Sequence, residues 1–385
     1  MAQHIGQDGG PLRLAWRSRI PEQPMCAISG RSVASKKESV LVGGVDGKLR
    51  LYARDQNKPE IVLDTKTGAA ITVLKAFDLC ARGSYRDVVV GDASGWVSIF
   101  SNQQIVHRCN IGSEVTALGI QVDLLGNPSI VAGSVAGVIT AFVPYEEQWK
   151  RRVGDELMFD ADGWGRPFST SPSVRCILPA IIHDAHGLPS SYLVVADGSS
   201  YMHFYSGGSR VYSIEVPCSP DTMCVGSFTA GATSPQVACA GKDGRIFVIS
   251  NFEVQQFATV EYAITQLACV PSQQKESSST CATVEESSAV DFLLSGGHFG
   301  GICVMCNGQL VQRICASDWV CSLALSEHND IVACFCDGTV GVYHIEAITD
   351  GISNGPLKRQ QSDALDSVSD AKRSRVHNTE QKDAH

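Results

Sequence analysis

The chain has 385 residues, of which 44% are hydrophobic and 18% are charged, so apolar side chains suffice for a large core. A composition of this kind excludes a globally disordered chain. The formal net charge of −9 at pH 7 argues against a general nucleic-acid binder, because neutralising phosphates requires a basic surface.

Membrane-spanning and secreted proteins are also disfavoured by the apolar runs and the cysteines. Residues Met1–Leu12 are polar and glycine-rich, without the apolar stretch of a signal peptide. No run reaches the roughly 18 apolar residues that mark a membrane span. Seven of the 15 cysteines sit singly inside apolar, strand-like runs, where a thiol behaves as a small hydrophobic group. We therefore expect a soluble intracellular protein with reduced thiols.

One sequence unit recurs along the chain: a short apolar run, a turn, and a second run that alternates and ends in a large side chain. A continuous apolar run is typical of a strand buried on both faces, and alternation is typical of a strand with one less buried face. Each unit therefore predicts a β-hairpin. In chain order the seven units are Val40–Tyr52, Val88–Phe100, Ile130–Phe142, Leu193–Tyr205, Val237–Ile249, Leu293–Met305 and Ile331–Tyr343.

The turns and their spacing predict the architecture. Pairs such as Asp46-Gly47 and Asp337-Gly338 supply the positive φ angles of tight hairpin turns, and Ser200 and Gly300 are taken as the equivalent positions in their units. Most turns recur after about 40–50 residues, the period of a four-stranded blade, and a further strand is predicted on each side of the hairpins. The sequence therefore predicts an all-β, seven-bladed β-propeller over residues 12–347.

The ends of this region predict how the ring closes. The run Leu12–Arg19 precedes the first complete blade, whereas the chain after Ile345 turns polar and supplies no outer strand for the last blade. We expect Leu12–Arg19 to provide that strand, which leaves few free sheet edges.

Two long intervals predict insertions, at about residues 145–175 and 272–289. The second is rich in Ser, Thr and Glu and is expected to be a flexible loop. The first combines aromatic and charged residues, and aromatic residues and arginine dominate binding hot spots. The alternative is that these rings only cap the propeller. The candidate protein-binding residues are Tyr145, Trp149, Arg151, Arg152 and Trp164.

Residues 348–385 are polar and charged and are predicted to form a disordered tail. The tail contains two basic clusters at the spacing of a bipartite nuclear import signal. The alternative is a solvated charged tail without a receptor. The candidate signal residues are Lys358, Arg359, Lys372, Arg373 and Arg375.

Motifs for metal binding and catalysis are weak. Cys303 and Cys306 form a CxxC pattern, but residues i and i+3 of a strand point to opposite faces and cannot share one ion. The acidic stretch Asp160–Gly163 has too few oxygen ligands for calcium. Nucleophile elbows, His-Glu-x-x-His motifs and phosphate-binding loops are absent from the sequence. We therefore expect no catalytic residue, no metal and no cofactor.

The repeat resembles a family of divergent propellers. Val88–Phe100 carries neither the Gly-His nor the Trp-Asp dipeptide of regular WD40 blades. It resembles seven-bladed WD40-like propellers of the integrin-alpha FG-GAP-repeat-containing type, which include a subunit of KICSTOR, a complex that regulates TORC1. Arg210–Pro217 is similar to the propellers of BBSome subunits. The calcium loop of true integrin repeats and the helical extensions of BBSome subunits are absent from the sequence.

The resemblance implies a non-catalytic interaction scaffold within a multiprotein complex, with nutrient signalling through TORC1 as its process. Other proteins are the expected partners, and any membrane association is peripheral and runs through them. Direct nucleic-acid binding is not expected. The tail supports an alternative, a nuclear adaptor of a chromatin or ubiquitin-ligase complex. A third reading is an enzyme with its site in the propeller channel, although the innermost strands are mostly Val, Ala, Leu and Cys. The expected location is the cytoplasm, the nucleus or both.

Overall fold

The structure is a computed structural model that describes residues 11–345 with gaps. The gaps are residues 21–22, 30–38, 54–58, 80–86, 102–103, 124–125, 156, 160–164, 168–171, 184–186, 273–289 and 326–329. The predicted tail and most of the predicted insertion at 272–289 therefore lie outside the described residues.

The described residues form seven four-stranded antiparallel sheets and one two-stranded hairpin. In chain order the strands are β1 (Leu12–Arg19), β2 (Cys26–Ser29), β3 (Ser39–Gly43), β4 (Lys48–Ala53), β5 (Glu60–Asp64), β6 (Ile71–Phe77), β7 (Asp87–Asp92), β8 (Trp96–Ser101), β9 (Gln104–Asn110), β10 (Val115–Val122), β11 (Pro128–Ser134), β12 (Val138–Val143), β13 (Glu146–Arg152), β14 (Leu157–Phe159), β15 (Gly165–Pro167), β16 (Cys176–His183), β17 (Pro189–Ala196), β18 (Tyr201–Ser206), β19 (Ser209–Glu215), β20 (Pro220–Gly226), β21 (Gln236–Gly241), β22 (Arg245–Ser250), β23 (Glu253–Thr259), β24 (Ile264–Val270), β25 (Phe292–Gly297), β26 (Phe299–Cys306), β27 (Gln309–Cys315), β28 (Val320–Leu325), β29 (Ile331–Phe335) and β30 (Thr339–Ile345).

Each four-stranded sheet is one blade of a closed ring. Blades 1 to 6 are β2–β5, β6–β9, β10–β13, β16–β19, β20–β23 and β24–β27, and blade 7 joins β28, β29 and β30 to β1. The first strand of each blade contacts the first strand of the next, from β2 through β6, β10, β16, β20, β24 and β28 back to β2. The predicted all-β, seven-bladed propeller is confirmed.

The N-terminal strand closes the ring, as predicted. Strand β1 pairs antiparallel with β30, with Leu12 opposite Ile345 and Arg19 opposite Thr339. Trp16 is buried in the core shared by blades 7 and 1. Gln312 of blade 6 holds the start of the strand: its Oε1 accepts a hydrogen bond from Leu12 N at 2.9 Å, and its Nε2 donates to Leu12 O at 3.0 Å.

The predicted turn glycines adopt the left-handed backbone in five blades, with φ between 72° and 87° at Gly47, Gly95, Gly137, Gly244 and Gly338. The other two turns differ from the prediction. In blade 4 the positive φ falls on Gly198 rather than Ser200, since the glycine of this turn stands two residues earlier and a residue without a Cβ adopts that conformation most readily. In blade 6 the strand begins at Phe299, so Gly300 already lies within it.

Hydroxyl groups join the first strands of neighbouring blades. Thr72 Oγ1 of blade 2 donates to Val115 O of blade 3, and Thr116 Oγ1 of blade 3 donates to Val174 O, which precedes β16. Ser322 Oγ of blade 7 accepts a hydrogen bond from Ala27 N of blade 1 at 3.1 Å. These bonds satisfy polar groups between packed sheets, so the blades are held by directional contacts as well as by apolar packing.

Every outer strand carries a β-bulge. One residue in each of the seven strands has no partner in the register, so the strand bends there and its edge is irregular. Such an edge is a poor template for pairing with another chain. The bulged residues are Ala15, Val62, Val106, Gln148, Val211, Phe257 and Val311.

The first predicted insertion begins later than expected. Residues Glu146–Arg152 form β13, the outer strand of blade 3, and pair with β12. The prediction was wrong here because seven mostly charged residues lack the apolar alternation by which a strand is recognised. After β13 come a 3₁₀ turn, Val153–Asp155, and the β14–β15 hairpin.

Candidate partner-binding groove

The structure places four of the five predicted protein-binding residues together in blade 3. Trp149, Arg151 and Arg152 lie in β13, and Tyr145 lies in the turn that precedes it. Trp164 lies outside the described residues, as do the import-signal candidates Lys358, Arg359, Lys372, Arg373 and Arg375.

Tyr145 links blade 3 to blade 2 while exposing most of its ring. Its φ is 74°, an uncommon backbone conformation for a bulky side chain, and the residue is 77% exposed. Its hydroxyl donates a hydrogen bond to Val106 O of β9 at 2.8 Å, and its ring meets His107 edge-on with centroids 5.1 Å apart. Tyr145 is therefore a contact between blades at the protein surface.

Trp149 and Arg151 face blade 4. The turn between β18 and β19 packs directly on the indole, since a Cβ at Gly208 would lie 2.8 Å from that ring. Arg151 Nε donates a hydrogen bond to Gly208 O at 3.0 Å. Arg152 is exposed and, by the alternation of a strand, points to the opposite side. Trp149 is thus fixed in place by a turn that only glycine can form so closely.

A groove lies beside Trp149, between blades 3 and 4, and has a volume of about 660 Å³. It lies on the face of the propeller where one turn joins the first strand of a blade to the second and another joins the third strand to the fourth. We name it the blade 3–4 groove. The bulged residues of both bordering outer strands line it. Its lining residues are Gln121, Asp123, Asn127, Pro128, Ser129, Val143, Gln148, Trp149, Pro189, Ser190, Ser191, Tyr192, Ser206, Gly207, Val211 and Tyr212.

Blade 5 supports the aromatic side of the groove. Phe252, in the turn between β22 and β23, lies with its ring centroid 4.6 Å from that of Tyr212 and 5.9 Å from that of Tyr192. Phe204 completes the cluster at 5.3 Å from Phe252. Rings held on several sides lose little freedom when a ligand binds, so this wall is organised in advance.

The residues that line the groove are of the kinds that bind ligands. Its polar groups are mainly amides and hydroxyls, and Asp123 is the one charged residue among them. The Asp123 carboxylate accepts hydrogen bonds from Asn127 N at 2.7 Å and Asn127 Nδ2 at 2.9 Å, which fixes its position in the turn. Val211 and Tyr212 are 46% and 42% exposed, so both side chains are accessible to a ligand in the groove. Aromatic rings with a few placed polar groups are typical of binding sites.

The central channel offers less chemistry. Six of the seven first strands line a cavity of about 460 Å³, and Lys75 is the one charged residue in that lining. Burial, together with the nearby Asp291 carboxylate, raises the pKa of the Cys269 thiol, and burial also raises that of Cys224. Thiols with raised pKa values stay protonated and are poor nucleophiles.

The described part of the chain holds no group of three or more His, Cys, Asp and Glu side chains placed to bind a metal ion. Within the same part, no helix has the length and apolar character needed to cross a bilayer.

The sequence points to the blade 3 wall of the groove, through Trp149, but not to the wall that blade 4 contributes. Tyr192, Val211 and Tyr212 belong to strands that the sequence identified, but nothing local marks them as neighbours of β13. The groove forms because turns from two blades meet, and the bulges at Gln148 and Val211 depend on strand register.

Comparison with known proteins supports the fold. No protein-family model matches the chain, and no curated protein matches its sequence. Among solved structures, it is similar to BBS1N in crystals of the complex with ARL6DN, with a TM-score of 0.61 and 12% identity, over 88% of this chain and 98% of that one. It is also similar to the WD40 β-propeller domain of Doa1, with a TM-score of 0.60 and 12% identity, over 87% and 97%. The chain therefore has the fold of the WD40-like β-propellers.

Proposed function

We propose that this chain is a non-catalytic scaffold subunit of a multiprotein complex and that it holds a partner protein in the blade 3–4 groove. The observation that carries the proposal is the groove itself, where Trp149, Tyr192 and Tyr212 surround a cavity that also holds amides and hydroxyls. Trp149 is half-buried and Tyr212 is 42% exposed, and tryptophan and tyrosine are enriched among the residues that carry binding energy at protein interfaces.

Two further observations support this function. The similar BBS1N propeller was crystallised in complex with ARL6DN, so the fold serves there as a platform for another protein. Among the described residues that line the channel cavity, Lys75 is the one charged side chain, and the others are mostly apolar. The finer proposal, a role in nutrient signalling through TORC1, is supported by the resemblance of the repeat to a KICSTOR subunit. The import signal in the tail stays a prediction.

The test is a quantitative comparison of captured partners. The full chain and its Val211→Glu variant are each used to purify associated proteins, which are identified by mass spectrometry. Val211 lines the groove and is 46% exposed, so the charge disturbs binding there more than folding. We expect a defined set of proteins to be captured by the wild type and lost, by tenfold or more, from the variant.

Leu310→Glu is the matched control. Leu310 is 50% exposed and lies on the outer strand of blade 6, next to that strand's bulge, away from the groove. We expect it to capture the same proteins as the wild type. Equal capture by all three chains would show that the groove is not the binding site, and an empty capture would overturn the scaffold function.

A further inference from the structure

The blade 3–4 groove is shaped for one class of protein segment, and this inference rests on the proposed function. We propose that the groove binds a proline-rich segment of a partner in the polyproline II conformation, with a basic residue of that segment beside Asp123.

Strand addition does not fit the groove. A peptide that joins a sheet as a new strand needs a regular edge of alternating N–H and C=O groups. The outer strands at the two sides of the groove, β13 and β19, are both bulged, at Gln148 and Val211. Both bulged residues line the cavity, so each edge is interrupted where a peptide strand would have to pair.

An amphipathic helix does not fit either. A helix in a groove buries a continuous apolar stripe against continuous apolar walls. Here hydroxyl side chains interrupt the apolar lining at Ser129, Ser190, Ser191 and Ser206. A helical stripe would cover these groups without offering them hydrogen bonds, which is unfavourable.

The lining matches a polyproline II segment. Such segments dock in grooves lined by aromatic rings, and their preformed backbone loses little entropy on binding. Tyr212, 42% exposed, and the half-buried Trp149 supply the rings. The buried Tyr192 and, from blade 5, Phe252 hold the Tyr212 ring in place. A proline-rich backbone has few N–H groups and many free carbonyl oxygens, so it needs donors from its partner. The side-chain amides of Gln121 and Gln148 and the hydroxyls of Ser190, Ser191 and Ser206 are such donors. The Ser129 hydroxyl already donates to Gln121 O.

Charge completes the match. Asp123 is the one charged residue of the lining, and Asn127 holds its carboxylate in place. A carboxylate has about four lone-pair sites and can accept several hydrogen bonds at once, those from Asn127 among them. A basic residue in the segment complements this single negative charge, whereas an acidic residue there is repelled.

The test uses the full chain and a panel of fluorescent ten-residue peptides. The core Leu-Pro-Pro-Leu-Pro is flanked by Arg, by Ala or by Glu, and a fourth peptide has every proline replaced by alanine. Fluorescence polarisation measures each dissociation constant. We expect the Arg-flanked peptide to bind tightest and the Glu-flanked peptide to bind roughly two- to fivefold less tightly than the Ala-flanked one. The proline-free peptide should bind at least tenfold less tightly than the same peptide with its prolines.

Two variants separate the parts of the proposal. Tyr212→Ala removes a ring of the wall and is expected to weaken all proline-containing peptides by roughly tenfold or more. Asp123→Asn keeps the size of the side chain and removes its charge. In this variant the preference for Arg over Glu should disappear while the Ala-flanked peptide binds as before. A merely destabilised protein would not show that selective change. Leu310→Glu again serves as the control.

Each outcome decides a separate point. Equal binding of the proline-containing and proline-free peptides, or no binding of the panel at millimolar concentration, overturns the proline-rich segment. If Val211→Glu still loses captured partners in that case, the proposed function stands and the class of ligand is wrong. Retention of the Arg preference in Asp123→Asn overturns the role of Asp123.

Discussion

Asp197 and His203 form a buried polar pair in blade 4. Their side chains are 1% and 0% exposed, with His203 Nε2 3.5 Å from Asp197 Oδ2. His203 Nδ1 lies 2.9 Å from Ser213 Oγ, and Ser199 N donates to Asp197 Oδ1 at 3.0 Å. Burial acts to raise the pKa of Asp197, but the interactions with His203 and Ser199 outweigh it, so the pKa lies below its usual value.

This lowered pKa gives a pH-dependent contribution to stability. The ionised carboxylate stabilises the fold above the unfolded pKa of about 3.9, and the contribution is lost as the pH falls through the folded value. We expect Asp197→Asn to lower the free energy of unfolding by about 1–3 kcal/mol at pH 7, and the difference from the wild type to shrink below about pH 4. Urea unfolding at pH 7, 5 and 3.5 measures both effects.

The exposed carboxyl of Asp155 provides the control. Asp155→Asn should change the free energy of unfolding by less than about 0.5 kcal/mol at each pH. A destabilisation by Asp197→Asn that stays constant from pH 7 to 3.5 contradicts the prediction, because it would arise from shape rather than charge.

Strand β1 depends on blade 6 as well as on its partner β30. Gln312 makes two hydrogen bonds to the main chain of Leu12 and is itself buried. Gln312→Leu should therefore lower the free energy of unfolding by about 1–3 kcal/mol, because both bonds are lost together. It should also speed proteolytic cleavage within Leu12–Arg19, which mass spectrometry of the fragments detects.

Gln309, exposed on the same strand, is the control for this effect. Gln309→Leu should leave the cleavage rate of β1 unchanged. If both variants behave alike, the Gln312 bonds do not hold the strand.

Inner and outer strands differ in how far the sequence predicts them. The hairpin strands, such as Val88–Val90 with Val97–Phe100, are buried on both faces, so their apolar runs identify them. Strand β13 is exposed except at Trp149, so its residues carry the charge of a surface segment. Its existence depends on pairing with β12, which no pattern within β13 encodes.

The whole ring was predictable because seven similar hairpins imply radial repetition. The groove could not be predicted from the sequence, because its two walls come from residues that lie far apart in the chain, such as Gln121 and Tyr212. Their proximity follows from the packing of blade on blade, a property of the assembled ring.

A circular permutant tests what closure contributes to the molecule. In it the chain starts at Glu22, and residues 12–20 follow Ile345 through an Asn-Gly turn, which suits a two-residue hairpin loop. Every strand pair is kept, but the covalent link from β1 to blade 1 is lost. We expect a native circular dichroism spectrum with a lower urea midpoint, because opening the ring no longer requires unpairing β1. An unchanged midpoint contradicts this account of closure.

Because β1 pairs with the last strand, β30, it must wait for its partner while the rest of the propeller is synthesised. Strand β1 is synthesised first, but Ile345 follows about 330 residues later. At about 5–20 residues per second, this delay is on the order of tens of seconds. Throughout it Leu12 and Trp16 have no partner strand, and such a strand is prone to pair with a neighbouring nascent chain. Arg13, Arg17 and Arg19 place positive charge along the same eight residues, and charge of one sign on an open strand discourages that pairing.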